Sequence, residues 1–287
     1  MDNLVMESQV LSAVEYYLPY KENQLFVKYF KPDQVNLKFS TCLLLVHWMD
    51  NRGHKGNSIY NKIGSYYSTT MGLPVFLFDI QGSGESTGNF EFPERQKDQI
   101  KIVYEHISIT LDQEYHLTKK WTIIPVVHSI SAIAVMSAID EGLSIKSLIW
   151  IAGPPSHFKS LRRELSSRAK LGWYKFRFMA FIDTFSGIIG LPLKTKLFGF
   201  KFRVKDLYKG FSKANGANMM LNHPEMDILA FFGSADPYLR LSDIDAEFPK
   251  ELSKHIRRVI VPGADHSFEM HVEELITTIN EFINKTE

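Results

Sequence analysis

Val127-His128-Ser129-Ile130-Ser131 is the stretch of sequence that decides the fold of this 287-residue chain. It follows an apolar run over 121–126, which predicts a buried strand, and it precedes an alanine-rich run over 132–136, which predicts a helix. A serine on such a sharp strand-to-helix turn presents its hydroxyl outward, as a nucleophile requires. A serine before a helix is more often only a cap, so the turn alone is weak evidence.

Two later segments each place a chemically useful residue directly after a strand-like run. Gly233-Ser234-Ala235-Asp236 carries a carboxylate, and Gly263-Ala264-Asp265-His266 carries an imidazole. A free hydroxyl is a weak nucleophile near neutral pH, so Ser129 needs a base, for which His266 is the candidate. Asp236 would orient the imidazole and stabilise the imidazolium that forms. Serine, acid and histidine in this order predict a serine hydrolase.

Five neighbouring residues compete with these assignments. Asp265 adjoins the candidate base, but successive residues point apart, so we expect it in the turn. His128 is expected to face away from the nucleophile, and His271 is expected within the closing helix. Asp243 and Asp245 appear at the start of a predicted helix, where caps and partners for the helix dipole are common.

The oxyanion hole of such an enzyme needs two backbone N–H groups. One is expected from Ile130, at the start of the helix that follows the nucleophile. The other is expected from the turn after the first buried strand, from either Trp48 or Met49. His47, just before them, is interpreted as a structural turn residue.

Strand-like runs alternate with helix-length segments along most of the chain, which predicts an α/β fold with a mostly parallel sheet and helices on both faces. We expect eight strands, of which the first two form an antiparallel pair, over 9–17, 24–30, 43–47, 74–79, 121–127, 147–152, 226–232 and 257–261. Further helices are expected over 58–69, 95–113 and 268–284. The parallel strands are continuous apolar runs, as burial on both faces requires.

The segment 156–218 interrupts this alternation, with helical patches and no convincing strand. We predict that it is a helical cap inserted after the sixth strand, in a core domain of 1–155 and 219–287. It carries nine Lys and five Arg against three acidic residues. Basic and aromatic side chains together favour an acyl-chain pocket, containing Trp173 and Phe181, near an anionic head group or membrane surface. The alternative is that the aromatic residues only pack the cap and that the charges are solvated.

Composition excludes few classes of protein. The net charge of +1 gives no indication of nucleic-acid binding, and 45% hydrophobic residues are ordinary for a globular protein. Cys42 is the single cysteine and cannot form an internal disulfide, and the N-terminus does not resemble a signal peptide, so we expect a soluble cytoplasmic protein. The glycine-rich loop over 79–88 lacks the spacing of a phosphate-binding motif, so its glycines are assigned to tight turns.

Four motifs together resemble those of the α/β-hydrolase superfamily. Residues 79–86 are similar to D-x-R-G-x-G-x-S, 127–132 to G-H-S-x-G-G, 233–236 to G-x-x-D and 263–266 to G-x-x-H. The capped serine esterases, lysophospholipases and thioesterases are the most similar branch, whereas dehalogenases carry Asp at the position of Ser129. The resemblance implies the α/β-hydrolase fold and acyl transfer to water through an acyl-serine, with no metal or organic cofactor.

Four residues depart from the family pattern. Val127 and Ser131 replace the glycines that flank the nucleophile, and the β-branched Val127 is expected to strain the turn. Trp48 replaces a glycine and is expected to narrow the acyl pocket, so it is also assigned to substrate binding; Gln81 replaces an arginine. These departures either tune substrate choice or mark a hydrolase fold that has lost turnover.

Three functions therefore remain open from the sequence. The first is hydrolysis of a small-molecule carboxylic ester, with a lipid-like acyl ester included. The second is hydrolysis of an acyl thioester by the same three residues, with a peptidase of the proline-iminopeptidase kind as a minor variant. The third is a non-catalytic ligand-binding protein on the same fold. The sequence does not determine the oligomeric state.

Overall fold

The chain is built on an eight-stranded sheet. The computed structural model describes residues 13–91, 93–117, 119–155, 181, 194–197, 200–203, 216–248 and 254–286. Ten strands are present in this part: β1 (Ala13–Tyr20), β2 (Asn23–Phe30), β3 (Thr41–Val46), β4 (Val75–Phe78), β5 (Thr122–His128), β6 (Ser147–Ile151), β7 (Lys194–Leu197), β8 (Phe200–Arg203), β9 (Asp227–Gly233) and β10 (Ile256–Val261). The large sheet has the order β1-β2-β4-β3-β5-β6-β9-β10.

The pairing of the strands confirms the predicted mixed sheet. β1 pairs with β2, and β2 with β4, in the antiparallel sense, whereas every later pair in the sheet is parallel. All residues of β3, β4 and β6 are buried, which explains why these strands appear as unbroken apolar runs. The predicted α/β fold class is therefore correct.

The described part of the chain contains six α-helices: α1 (Ile59–Thr69), α2 (Pro93–Tyr115), α3 (Ser131–Asp140), α4 (Gly216–Leu221), α5 (Leu241–Glu247) and α6 (Val272–Thr286). α1 contacts α6, whereas α2 contacts α3 and α3 contacts α4. The connection from β3 to β4 leads toward the β1 edge of the sheet, whereas those from β4 to β5 and from β5 to β6 lead toward the β10 edge. Because such crossovers are right-handed, α1 covers one face of the sheet and α2 and α3 the other.

The closing helix begins later than predicted, at Val272 rather than at 268. Asp265 causes this delay, because its Oδ1 accepts hydrogen bonds from the amides of Ser267 at 2.9 Å and Phe268 at 3.1 Å. Phe268 also has a φ of 57°, which no α-helix permits. The segment before the helix is therefore a tight turn that carries His266.

Most of the predicted cap, 156–218, lies outside the described residues, and the proposed domain division stays a prediction. The expectation of no strand in this segment was wrong, because β7 and β8 form an antiparallel hairpin. Alternating apolar and basic residues over 200–203, preceded by Gly199, are the sequence signal for this hairpin. Within the described residues, no helix combines the length and the apolar character needed to cross a membrane.

Candidate active site

Ser129 occupies a strained turn between β5 and α3. Its φ is 58°, in the left-handed region that non-glycine residues rarely adopt. The backbone is held there by hydrogen bonds from its amide to Ile151 O at 2.8 Å and from the amide of Ala132 to its carbonyl at 3.2 Å. The side chain is partly exposed, whereas the helix that follows is almost entirely buried. The turn therefore projects the hydroxyl away from the sheet.

The hydroxyl of Ser129 lies at one end of a line of three side chains. His266 Nε2 is 2.8 Å from Ser129 Oγ, and His266 Nδ1 is 2.7 Å from Asp236 Oδ2. The side chain of Asp236 is 1% exposed and that of His266 is 11% exposed, so water screens these bonds weakly. Ser129 thus shares one hydrogen-bonded line with two residues that lie more than a hundred positions further along the chain.

The orientation of Asp236 is fixed by its own loop. Its Oδ1 accepts hydrogen bonds from the amides of Tyr238 at 2.7 Å and Leu239 at 3.0 Å. Only Oδ2 therefore faces His266. An acceptor there requires that Nδ1 carry the proton, which leaves Nε2 as the acceptor for the hydroxyl of Ser129.

The loops that carry Asp236 and His266 are joined directly. The amide of Ala235 donates to Ala264 O at 3.0 Å, and that of Ser234 donates to Val261 O at 3.1 Å. Gly233 permits this approach, because a Cβ atom there would lie 2.2 Å from Ala264 O. The acid and the imidazole are consequently positioned by backbone contacts and not only by their own bond.

Within the described part of the chain, the structure shows no hydrogen-bond partner for the backbone amides of Met49 and Ile130. The amide of Trp48 is occupied, because it donates to the hydroxyl of Tyr60 at 2.9 Å. The hydroxyl of Ser131 donates to the carbonyl of His47, which joins the loop after β3 to the start of α3. Of the two amides left open by the sequence, that of Trp48 therefore already has a partner, and that of Met49 stays a candidate.

Comparisons with solved structures identify the architecture. An esterase of Pyrococcus furiosus matches with a TM-score of 0.65 at 14% identity, over 96% of this chain and 91% of that one. Est1E from Butyrivibrio proteoclasticus, with ferulic acid bound, matches with a TM-score of 0.63 at 16% identity, over 94% and 98%. A serine hydrolase without a lid from Xanthomonas campestris matches with a TM-score of 0.59 at 15% identity, over 95% and 94%.

The chain has the α/β-hydrolase fold. Identities this low show the fold and not the activity. No family model matches the sequence, and no curated protein matches it.

Val127 and Ser131, which replace the glycines of the α/β-hydrolase motif, both fit the structure, and the strain expected at Val127 is not seen. Val127 is fully buried within β5 and pairs with Val46 and Trp150 on the neighbouring strands. Within this turn the left-handed backbone is at Ser129. Such strain is usual for the strand-to-helix turn that carries the serine in this fold. Ser131 is also fully buried, and its hydroxyl takes part in the bond to His47.

Trp48 lies against two imidazoles. Its ring is stacked on His128, with centroids 5.1 Å apart, and on His266, with centroids 5.6 Å apart. Tyr238 meets the same His266 edge-on at 5.0 Å. The ring thus covers the histidine of the candidate site, and sequence reasoning, which considered only the acyl pocket, missed this contact.

The loop after β4 is structural, as its glycines suggested. The carboxylate of Asp79 is fully buried and accepts hydrogen bonds from the amides of His54 at 2.7 Å and Glu85 at 2.9 Å. Burial alone would raise the pKa of Asp79, but its bonds to His54 and the nearby His47 lower it overall. A Cβ atom at Gly84 would lie 2.0 Å from Asp79 Oδ2, so the loop needs a glycine there.

The competing residues have other partners. His271 Nδ1 is 3.2 Å from Glu274, and Asp245 pairs with Arg258 at 2.9 Å. Asp243 lies in the first turn of α5. Burial lowers the pKa of His47, which accepts a hydrogen bond from the amide of Ile80 at 3.1 Å.

The residues assigned to substrate binding in the cap remain predictions. Trp173 lies outside the described residues, and Phe181 is described and 62% exposed. In the part of the chain that the structure describes, no three His, Cys, Asp or Glu side chains are grouped as metal ligands would be.

Proposed function

We propose that this chain is a serine hydrolase that cleaves a carboxylic ester of a small molecule through an acyl-serine intermediate. Ser129 is the nucleophile, His266 the general base and acid, and Asp236 the residue that orients the imidazole. The observation that carries the proposal is the continuous line from Ser129 Oγ through His266 to Asp236 Oδ2, with bonds of 2.8 and 2.7 Å. The esterases among the structural neighbours support the same chemistry at the level of the fold.

The first half of the reaction acylates Ser129. Its Oγ attacks the ester carbonyl carbon while its proton passes to His266 Nε2, which the bond from Nδ1 to Asp236 keeps free as an acceptor. The tetrahedral intermediate then collapses. The bond to the alcohol oxygen breaks, the alcohol leaves with the proton from Nε2, and the acyl group stays on Ser129.

The negative charge that develops on the carbonyl oxygen needs two donors. We assign the amides of Met49 and Ile130, for which no hydrogen-bond partner is found among the described residues. Such fixed donors act in the transition state without reorganising, and the loss of one costs roughly 10²–10³-fold in rate. The hydrogen bond from Ser131 to the carbonyl of His47 joins the two segments that carry these amides, the loop after β3 and the start of α3.

The second half releases the acid. A water molecule gives its proton to His266 Nε2 and attacks the acyl carbon, and the collapse of the second intermediate returns the proton to Ser129 Oγ. The same imidazole thus acts as base and then as acid in both halves. No electron transfer occurs, and the products are an alcohol and a carboxylic acid.

A fluorophosphonate probe and a panel of p-nitrophenyl esters test the proposal. The wild-type protein should be labelled and should hydrolyse at least one ester, whereas Ser129→Ala should lose both activities. Ser137→Ala, on α3 but away from the line of three side chains, is the matched control and should retain both. Failure of the folded wild-type protein to be labelled would overturn the proposal and favour a binding protein on this fold.

The acyl group remains to be identified by assay. The same three residues would cleave an acyl thioester, so acyl-thioester substrates belong in the same panel. A preference of kcat/KM for thioesters over matched oxygen esters would replace the ester assignment while keeping the roles of Ser129, Asp236 and His266.

The proposal includes contact between the lysine- and arginine-rich segment 156–218 and an anionic membrane surface or head group. Lys194 is opposite Arg203 in the hairpin, and Lys196 is opposite Lys201. Opposite residues share a face of a hairpin, so four basic positions lie on one face, which supports attraction to anionic head groups. Replacing all four by Gln should weaken sedimentation with anionic vesicles and leave hydrolysis of a soluble ester unchanged. Equal sedimentation of both proteins would remove the proposal.

A further inference from the structure

His128, the residue before the nucleophile, is bonded to the backbone of His266. His128 Nε2 is 2.7 Å from His266 O, across 138 positions of the chain. Its other nitrogen, Nδ1, is 2.9 Å from the hydroxyl of Tyr60. Both bonds are buried, and His128 itself is 1% exposed.

The partners fix the protonation of His128. A carbonyl oxygen can only accept, so Nε2 carries the proton and donates it to His266 O. The hydroxyl of Tyr60 accepts the amide of Trp48 and is free to donate to Nδ1. Burial, and then the neighbouring His266, lower the pKa of His128 to about 3, so it stays neutral near pH 7. It therefore neither repels the imidazolium nor competes for the proton of Ser129.

The ring of Trp48 completes this arrangement. It lies nearly parallel to both imidazoles, at 22° to His128 and 20° to His266. Its own amide is bonded to Tyr60, so the backbone that carries the ring is tied to the hydroxyl that orients His128. An aromatic face next to a forming cation favours the charged state.

We propose that Tyr60, His128 and Trp48 form a brace that holds His266 between Ser129 and Asp236 throughout the reaction. This inference rests on the proposed function and adds three positioning residues to it. His128 contacts the carbonyl of His266, and Trp48 contacts the face of its ring. Both contacts can persist when Nε2 gains and loses its proton. The two ring nitrogens are thereby left for Ser129 and Asp236.

The brace predicts that His128 cannot be replaced without loss of rate. His266 lies in the turn after β10, and the bond from His128 Nε2 holds the carbonyl of His266 itself, in addition to the bonds that its neighbours make. The misplacement of a reacting group by about 1 Å can cost about 100-fold in rate. A neutral donor at position 128 prevents such a shift without adding a charge to the site.

Kinetics of three variants test the brace. His128→Leu removes both bonds and should lower kcat about ten- to hundredfold while KM changes little. His128→Gln restores an N–H donor for His266 O and should recover much of that loss. Tyr60→Phe keeps the ring and deletes one hydroxyl, so it should fold and give an intermediate loss. His106→Leu is the matched control, since His106 is also bonded to a tyrosine hydroxyl, that of Tyr16 at 2.9 Å, but on the far edge of the sheet.

A measurement without substrate separates this inference from the proposed function. The Nδ1 proton that His266 donates to Asp236 should give a far-downfield proton NMR signal. That signal should broaden or shift in His128→Leu and Tyr60→Phe but not in His106→Leu. Turnover that survives Ser129→Ala would refute the proposed function without touching this result. An unchanged signal and unchanged kcat in a folded Tyr60→Phe would overturn the brace.

Discussion

Asp236→Asn should nearly abolish turnover while leaving the fold intact. Asp236 Oδ1 accepts two backbone amides, at 2.7 and 3.0 Å, so the amide oxygen of Asn would keep that position. Its NH₂ group would then face His266 Nδ1, 2.7 Å away in the wild type. A donor at that place forces Nδ1 to become the acceptor and moves the proton to Nε2. The imidazole would then present a proton to Ser129 instead of a lone pair.

The size of the effect follows from this change of tautomer. A histidine that cannot accept the proton of the nucleophile costs roughly 10⁴-fold in kcat, which corresponds to about 5 kcal/mol in the activation free energy. Because Asn has nearly the shape of Asp and keeps the two amide contacts, the melting temperature should fall far less than for a variant that breaks the loop.

The assay is kcat on the best p-nitrophenyl ester, together with the rate of fluorophosphonate labelling, for wild type and Asp236→Asn. Asp265→Asn is the matched control, because it alters the neighbouring carboxylate, which serves the turn before α6. Both rates should collapse only in Asp236→Asn. A loss of less than about tenfold in a folded protein would refute the orienting role of Asp236.

Three further outcomes are expected. Trp48→Ala removes the ring from His266 and should lower kcat about tenfold, with Trp48→Phe recovering part of it; equal kcat in all three proteins would contradict the stacking argument. Gly233→Ala should lower the free energy of unfolding by about 1–3 kcal/mol in urea titrations, because its Cβ would lie 2.2 Å from Ala264 O, and an unchanged midpoint would contradict this. The folded-state pKa of His128, about 3, lies below its ordinary value, so its contribution to stability is present above about pH 6.5 and decreases as pH falls toward 3. Between pH 7 and about 4, the melting temperature of His128→Gln should therefore fall less than that of the wild type. Parallel curves of melting temperature against pH for the two proteins would refute this.

Much of the sheet could be predicted because each strand is a local pattern. The runs at β3, β4 and β6 are apolar throughout, and their burial on both faces explains this. The start of α6 was misplaced because the Asp265 turn depends on three hydrogen bonds to one oxygen, which hydrophobic periodicity does not reveal. The β7–β8 hairpin was missed because its strands are only four residues long.

The sequence by itself determined which residues stand at the ends of the strands: Ser129 after β5, Asp236 after β9 and His266 after β10. It did so because a turn that follows a buried strand is a local pattern of residue types. Only the tertiary structure showed that the amide of Trp48 is bonded to the hydroxyl of Tyr60, and only it placed His128 against the carbonyl of His266. Those contacts are hydrogen bonds between residues far apart in the chain, whose partners no local pattern specifies.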